Sequence, residues 1–390
     1  MATVKLIHTA DNHLDPKLSY LGSKMMERRK DFMDAFVSVV NTALQRKPHL
    51  FLVSGDLFDS VNPRNPARTQ VIRAFRRLHS EGIACFMIAG NHDMPKSVEE
   101  GMSPLQEIEA SGYARFFSSP EEFEVEHLRV EGLDVAVAGV SYSPGVPVDE
   151  NPLRYMNLRF PREGDVPIAM LHYNFSGVKT PASWKAPTLV KDDVPKGYKY
   201  VALGHVHSRV VIELEDGLAA YPGSTERRSF AEEGDPSKGF LWVEIPQEGK
   251  PRVEYIETRA RPMKTVNVEV SPSEDPIEGI LSSIPPPDVG LLLRLVVKGR
   301  IPLAKLSSYS RAALLKKLEG LFFYVVIDDS ELRCEVETPA DQPIEAKSPI
   351  EAFKEEFSLM LSKTVSEEER LVLLHALKLG LQKLEESGGW

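Results

Sequence analysis

Residues 4–13 read VKLIHTADNH, and this stretch decides the fold because a short apolar run ends and polar side chains follow at once. The run Val4–Ile7 is typical of a buried strand, and Asp11-Asn12-His13 comes shortly after it. The same succession recurs after later apolar runs, at Gly55-Asp56-Leu57-Phe58-Asp59, Gly90-Asn91-His92-Asp93, His172 and Gly204-His205-Val206-His207. One pattern repeated after several strands indicates a sheet whose strand ends meet in one crevice.

Two segments between the apolar runs carry apolar residues at helix spacing. The first covers Ser23 to Arg46, and the second follows Pro66. Buried strands that alternate with helices predict a layered α/β domain, which we place at residues 1–260.

The pattern changes after Arg261-Pro262. Strands and short helices in the order β-α-β-α-β-β, with a turn at Asp328-Asp329 before a last strand Leu332–Val336, predict a small α+β domain at residues 261–338. Residues 339–390 are predicted to form two helices. Ser348-Pro349 opens the first of them, and a capping box of Ser366 and Glu369 opens the second.

The composition excludes several classes of protein. The chain has 390 residues, of which 42% are hydrophobic and 27% charged, as in an ordinary globular protein. Its 2 cysteines cannot build a disulfide framework or a cysteine-rich zinc module, and they favour a reducing, intracellular compartment. The sequence shows no signal peptide and no apolar run long enough for a membrane span, so we expect a cytoplasmic protein with no membrane partner. A polyanionic substrate would need metal ions or a local basic groove, because the net charge is −10.

The polar residues after the strands are a coherent set of metal donors. They combine two aspartates, an asparagine and four histidines, which suit Mn²⁺, Fe or Zn²⁺ better than Mg²⁺ or Ca²⁺. Seven donors are too many for one metal with an open position, but they suffice for two if one carboxylate bridges. Two ions about 3.5–4 Å apart can activate a water and hold a phosphoryl group for in-line displacement.

This set of residues, in this order, resembles the calcineurin-like metallophosphoesterase superfamily over residues 1 to about 225. The resemblance implies a core of two mixed β-sheets flanked by helices. It also implies two divalent ions, with Mn²⁺ favoured. In that family pattern Asp11, His13 and His207 hold the first metal, Asp56 bridges, and Asn91, His172 and His205 hold the second. His92 would donate a proton to the leaving oxygen, and Asp59 would hold its ring.

Within the superfamily the sequence is most similar to the nuclease subunit of the SbcC–SbcD exonuclease complex, of the meiotic-recombination-eleven type. The similarity lies in residues 7–15, in Tyr221–Arg227, in Lys238-Gly239-Phe240, and in the small domain and terminal helices. It implies a DNA nuclease of double-strand-break repair in prokaryotes, associated with the nucleoid. This nuclease would act as an exonuclease on duplex ends and as an endonuclease on single-stranded or hairpin DNA. The resemblance also implies a homodimer and a coiled-coil ATPase partner related to SMC proteins. No phosphate-binding GxxxxGK[ST] loop is present, so ATP would be handled by another chain.

The surfaces that contact DNA and partners are less defined by the sequence. Arg64, Arg68, Arg227 and Arg228 are candidates for phosphate contacts, and a solvated basic face explains each of them equally well. The terminal helices carry Phe353, Phe357, Leu371, Leu374 and Leu377 as candidates for binding the ATPase, although packing on the body of this chain would also account for them. Val71, Ile72, Phe75, Leu105 and Ile108 fit either a dimer interface or the core.

Two other functions fit the same residues. The chain could be a phosphodiesterase or phosphatase for smaller phosphate esters, although Ser60 stands where the phosphatase branch typically has arginine. It could also be mainly a DNA-end-binding scaffold for the ATPase.

Overall fold

A computed structural model of the chain describes residues 2–180, 185–273, 275–302, 305, 308–335, 348–364 and 366–386. The chain divides into two units, Met1–Cys334 and Glu335–Trp390.

In the described residues the strands are short in the first part of the chain and longer in the second. They are β1 (Thr3–Thr9), β2 (Leu50–Ser54), β3 (Ala84–Ile88), β4 (Arg115–Phe117), β5 (Glu124–Val130), β6 (Leu133–Gly139), β7 (Val166–Leu171), β8 (Asn174–Phe175), β9 (Thr188–Leu189), β10 (Tyr200–Leu203), β11 (Val210–Glu213), β12 (Leu218–Tyr221), β13 (Gly239–Pro246), β14 (Arg252–Glu257), β15 (Met263–Val270), β16 (Asp288–Pro302) and β17 (Phe322–Glu335).

The α-helices lie between these strands and at the end of the chain. They are α1 (Met25–Arg46), α2 (Asn65–Ser80), α3 (Leu105–Ala110), α4 (Pro152–Tyr155), α5 (Pro276–Ser283), α6 (Arg311–Leu318), α7 (Pro349–Lys363) and α8 (Glu367–Glu386). Short 3-10 helices cover Ser19–Lys24, Val98–Glu100, Lys191–Asp193 and Phe230–Glu232.

Two mixed six-stranded sheets form the body of the first unit. The first has the order β14-β13-β1-β2-β3-β4. Strands β1 to β4 are parallel to one another, β13 pairs antiparallel with β1, and β14 pairs antiparallel with β13. The second has the order β11-β12-β10-β7-β6-β5, with parallel central strands and antiparallel edges. The predicted α/β core of two mixed sheets flanked by helices is confirmed.

Alternation along each strand divides the core into layers. Leu6 on β1 packs among residues of both sheets, whereas its neighbour Ile7 packs against the helices on the other face. Phe36 of α1 and Phe75 of α2 bury their rings in that helix layer, at 6.4 Å between centroids. The predicted helix from Ser23 begins at Met25, after a 3-10 turn.

The residues proposed for a dimer interface lie mostly inside this chain. Val71, Phe75, Leu105 and Ile108 are fully buried in the helix layer, and Ile72 is partly buried against it. Core packing therefore accounts for them.

A third sheet, β15-β16-β17, carries the small α+β fold with its own apolar core. Arg261 joins this sheet to helix α1: its guanidinium lies 3.5 Å from the centre of the Phe323 ring of β17 and donates to both carboxylate oxygens of Asp31. The predicted turn at Asp328-Asp329 is wrong, because β17 runs unbroken through it. Those carboxylates bond the Ser330 and Tyr309 hydroxyls instead of closing a chain reversal. Val336, the predicted end of the last strand, lies outside the described residues.

The second unit contains α7 and α8. Ser348 caps α7 and forms a reciprocal pair with Glu351, while the Glu369 N–H lies 3.5 Å from Ser366 Oγ at the start of α8. The Phe353 and Phe357 rings lie 4.7 Å apart. None of the helices in the described residues is long and apolar enough to cross a membrane.

Candidate metal centre

The polar loops after β1, β2, β3, β7 and β10 meet at one point between the two large sheets. Their backbone is locally unusual, since Asp11, His13 and Asp56 have φ between 44° and 50°, a region that side chains rarely adopt. Glycine makes the close approach possible. A Cβ on Gly204 would lie 1.9 Å from the Ser54 carbonyl oxygen, so a larger residue there would push these loops apart.

Three of the predicted ligands form one compact group. Asp11, His13 and His207 each offer a donor atom within 4.8 Å of the others, and all three are buried. His13 Nε2 lies 3.0 Å from His207 Nε2, and His207 Nε2 lies 3.9 Å from Asp11 Oδ1.

A second group adjoins the first through Asp11 and Asp56. His172 Nε2 lies 3.4 Å from Asp56 Oδ2 and 3.3 Å from Asn91 Oδ1. Asn91 Oδ1 is also 3.0 Å from His205 Nδ1. The structure thus brings all seven predicted ligands together, with Asp56 between the groups at 3.8 Å from His13 Nε2.

Two histidines face the centre with Nε2. His172 donates from Nδ1 to the Ser54 carbonyl oxygen at 2.8 Å, and His207 Nδ1 lies 3.1 Å from Glu232 Oε1. Nε2 is therefore the nitrogen of each ring that faces the centre, and it can bind a metal ion once it carries no proton; the close approach of His207 Nε2 to His13 Nε2 suits two ligands of one cation. This donor set fits divalent metal ions.

The pKa values follow from burial and from the neighbouring carboxylates. Burial lowers the pKa of His13 to about 4 and that of His205 to about 3, so both imidazoles are neutral donors. Burial would also lower the pKa of His172, but Asp56 and Asp11 raise it to about 9. The carboxylates thus attract positive charge to this point, and a metal ion would supply it in place of a proton.

His92 lies at the rim of the centre, with 27% of its side chain exposed. Its Nδ1 is 3.0 Å from the backbone carbonyl oxygen of Asp59 and 3.9 Å from the carboxylate. The predicted contact of these two residues therefore runs through the backbone. The Asp59 carboxylate instead lies 3.2 Å from His13 Nδ1 and accepts from Arg228 Nε at 2.6 Å.

The four candidate arginines lie in different surroundings. Arg64 is bound to Asp15, and Arg68 to Glu107. Arg227 is buried and donates to the carbonyl oxygens of Arg261 and Asp235. Arg228 is the candidate that adjoins the metal centre, through Asp59.

Sequence reasoning gave no role to two buried acids that hold the loops. Asp93 accepts from the N–H groups of Leu57 and Gly90, which ties the second loop to the third. Burial, together with the charge of Asp56, raises the pKa of Asp93 to about 7. Asp93 was visible as the last residue of Gly90-Asn91-His92-Asp93, but Glu232 follows no strand and carried no comparable signal.

Fold and donor set define a metallophosphoesterase. The calcineurin-like phosphoesterase family model matches residues 4–209, and the chain belongs to that family.

Several curated relatives extend the match. The DNA double-strand break repair protein Mre11 of Methanocaldococcus jannaschii is 29% identical over 269 residues, covering 67% of this chain and 69% of the relative. The protein of the same name from Sulfolobus acidocaldarius is 27% identical over 330 residues, covering 83% of this chain and 80% of the relative. An uncharacterized metallophosphoesterase, YhaO of Bacillus subtilis, is 31% identical over 252 residues, covering 63% of this chain and 58% of the relative.

Proposed function

We propose that this chain is a two-metal DNA nuclease of double-strand-break repair, dependent on Mn²⁺. The observation that carries the proposal is the meeting of seven donors from five loops, in a chain similar to relatives named for DNA double-strand break repair. The proposed activity is exonucleolytic on duplex ends and endonucleolytic on single-stranded or hairpin DNA.

Each ligand group would hold one ion. Asp11, His13 and His207 would hold the first and Asn91, His172 and His205 the second, with Asp56 shared between them. When bound, two divalent ions supply an activated water and draw charge from the phosphoryl group. The mixed nitrogen and oxygen donors favour Mn²⁺ over Mg²⁺ or Ca²⁺.

His92 would act as the proton donor to the leaving oxygen. Its Nδ1 is held by the Asp59 carbonyl oxygen, so Nε2 is the atom left for the substrate. The partial exposure of the ring allows a phosphodiester to reach it, whereas the buried ligands cannot exchange protons with solvent as readily.

Arg228 is the strongest of the four candidates for a phosphate contact. Its Nε donates to the Asp59 carboxylate, and about a third of its side chain is exposed. Arg64 and Arg68 are already paired with acids, and Arg227 is buried, so we rank them behind it.

The C-terminal helices are proposed to bind a coiled-coil ATPase, and the chain to form a homodimer. Leu371 and Leu374 are 56% and 46% exposed, while Phe353, Phe357 and Leu377 are partly buried within the helical pair. Large apolar side chains exposed on two adjacent helices are typical of a binding surface.

The experiment compares substrates for the purified chain loaded with Mn²⁺. We expect cleavage of linear and hairpin DNA, and loss of that cleavage in His92→Gln. Cyclic nucleotides and phosphopeptides serve as competing substrates. If they are cleaved and DNA is not, the chain is a phosphodiesterase or phosphatase for smaller esters. If DNA binds but nothing is cleaved, it is a scaffold.

A further inference from the structure

Glu232 lies behind the metal centre with 2% of its side chain exposed. It ends the short 3-10 helix Phe230–Glu232, at a distance along the sequence from every strand-end motif. Burying a carboxylate costs free energy unless hydrogen-bond donors surround it, so the donors around Glu232 indicate its role.

Four donors meet the Glu232 carboxylate, two at each oxygen. Oε1 is 3.1 Å from His207 Nδ1 and accepts from the Arg228 N–H at 3.0 Å. Oε2 accepts from Ser224 Oγ at 2.9 Å and from Lys238 Nζ at 2.7 Å.

Lys238 balances the charge of this carboxylate. Its side chain is 1% exposed, and Nζ also contacts Asp235 Oδ2 at 2.6 Å and the His207 carbonyl oxygen at 2.9 Å. An ionised carboxylate can only accept, so His207 carries a proton on Nδ1, and Nε2 is the nitrogen that faces Asp11 and His13.

The histidines of the two ligand groups are therefore supported differently. In the first group, His207 is hydrogen-bonded to Glu232, and the Asp59 carboxylate lies 3.2 Å from His13 Nδ1 without a hydrogen bond. In the second group, His172 is held by the neutral Ser54 carbonyl oxygen. A carboxylate behind an imidazole makes it a more basic ligand than a carbonyl does.

We propose that Glu232, balanced by Lys238, is a positioning residue that makes the group of Asp11, His13 and His207 the tighter of the two metal positions. This inference rests on the proposed function, since it assumes that both groups bind metal. It assigns an order of filling, with the first group occupied before the second. Arg228 connects the two supports, because its backbone N–H meets Glu232 and its Nε meets Asp59.

The test is a titration of the metal-free 390-residue chain with Mn²⁺, in which binding is monitored by calorimetry and by electron paramagnetic resonance. In the wild type we expect an isolated-ion signal first and a coupled pair only as the second ion binds. Glu232→Gln should weaken the tight step about 10–100-fold and leave the weak step unchanged. An amide cannot accept from all four donors, because its NH₂ group would face the two donors that meet one carboxylate oxygen.

Two further variants locate the effect. His172→Asn should remove the weak step and keep the tight one. Glu233→Gln is the matched control, since Glu233 bonds Thr265 of β15 and should titrate like the wild type. Glu232→Asp, which keeps the charge but withdraws it from His207, carries the test if Glu232→Gln does not fold.

The possible failures are distinguishable. If the wild type binds fewer than two ions, the proposed two-metal function is wrong. If it binds two and the Glu232 variants titrate like the wild type, only the role of Glu232 is wrong. If His172→Asn loses the tight step instead, the order of filling is reversed.

Discussion

The metal centre and the C-terminal helical pair break the usual rule of burial in opposite directions. Around the centre, Asp11, His13 and His172 are fully buried although they are polar. In the helical pair, Val372 and Leu379 are 67% and 62% exposed although they are apolar. Both arrangements cost free energy unless something compensates them.

The compensation differs between the two regions, and this difference is informative. His172 and His207 are compensated within the first unit by a backbone carbonyl oxygen and by Glu232 with Lys238, whereas His13 Nδ1 and His205 Nε2 are buried without a hydrogen bond. Among the described residues, Val372 and Leu379 are left largely uncovered. The support of the centre thus lies within the first unit, whereas the exposed apolar side chains of α7 and α8 are where the proposed ATPase would bind.

The largest expected effect is at the carboxylate shared by the two ligand groups. Asp56→Asn should lower Mn²⁺-dependent hydrolysis of a simple phosphodiester about 10³-fold, since metal stabilisation of several kcal/mol is lost at 1.36 kcal/mol per factor of ten. Metal content should fall from two ions per chain in parallel. Asp34→Asn is the control, because Asp34 is an exposed partner of Lys30. A variant with two ions and an unchanged rate would refute the bridging role.

A smaller loss is expected at His92, which has a donor atom within 4.8 Å of His13 and Asp56 but is proposed as the proton donor. His92→Gln should reduce kcat about 10²–10⁴-fold, the range for a lost general acid, while Mn²⁺ binding stays as in the wild type. Measuring rate and metal binding on one preparation separates the two roles. If the variant loses metal together with rate, His92 is a ligand.

The sequence predicted the centre better than its supports. Asp56 and His205 could be placed because each follows a recognisable strand, and parallel strand ends converge. Glu232 could not, because its role depends on a loop returning beneath His207 after an intervening pair of strands. The turn expected at Asp328-Asp329 failed for a related reason: a distant hydroxyl, that of Tyr309, occupies the second carboxylate.

Changes in the helical pair should have the opposite outcome from changes at the metal centre: partner binding should be lost while hydrolysis is kept. Leu371→Glu combined with Leu374→Glu should leave phosphodiester hydrolysis and thermal stability nearly unchanged, because exposed positions usually contribute within about 0.5 kcal/mol. Binding of the proposed coiled-coil ATPase, measured by co-purification and sedimentation, should be lost. Glu355→Gln on α7 is the control. Retained binding would mean that these leucines serve another purpose.

Gly380 of α8 is closely packed, in contrast to the exposed apolar residues of the helical pair. A Cβ on Gly380 would lie 2.3 Å from Phe353 Cζ, so the two helices approach closely there. Alanine is favoured over glycine in a helix by about 1 kcal/mol, but overpacking costs about 1–3 kcal/mol. Gly380→Ala should therefore destabilise the pair in the wild type and stabilise it in Phe353→Ala, as measured by hydrogen exchange of α8. Equal effects in both backgrounds would show that the two residues do not touch.

The smallest expected effect is the pH dependence of stability, which should differ in sign between the exposed His127 and the partly buried His49. His127 is exposed between Glu163 at 2.9 Å and Asp134 at 3.1 Å, and these acids raise its pKa above 6.5. Its pairing therefore stabilises the fold fully below pH 6.5, and this stabilisation is lost as pH rises through the folded-state pKa. Burial lowers the pKa of His49, so that residue costs stability in acid and the cost disappears as pH rises. The free energy of unfolding of His127→Gln and of His49→Gln, measured in urea at pH values below and above 6.5, should differ from that of the wild type by amounts that change with pH in opposite senses. Parallel changes would mean that burial does not set the sign of these pKa shifts.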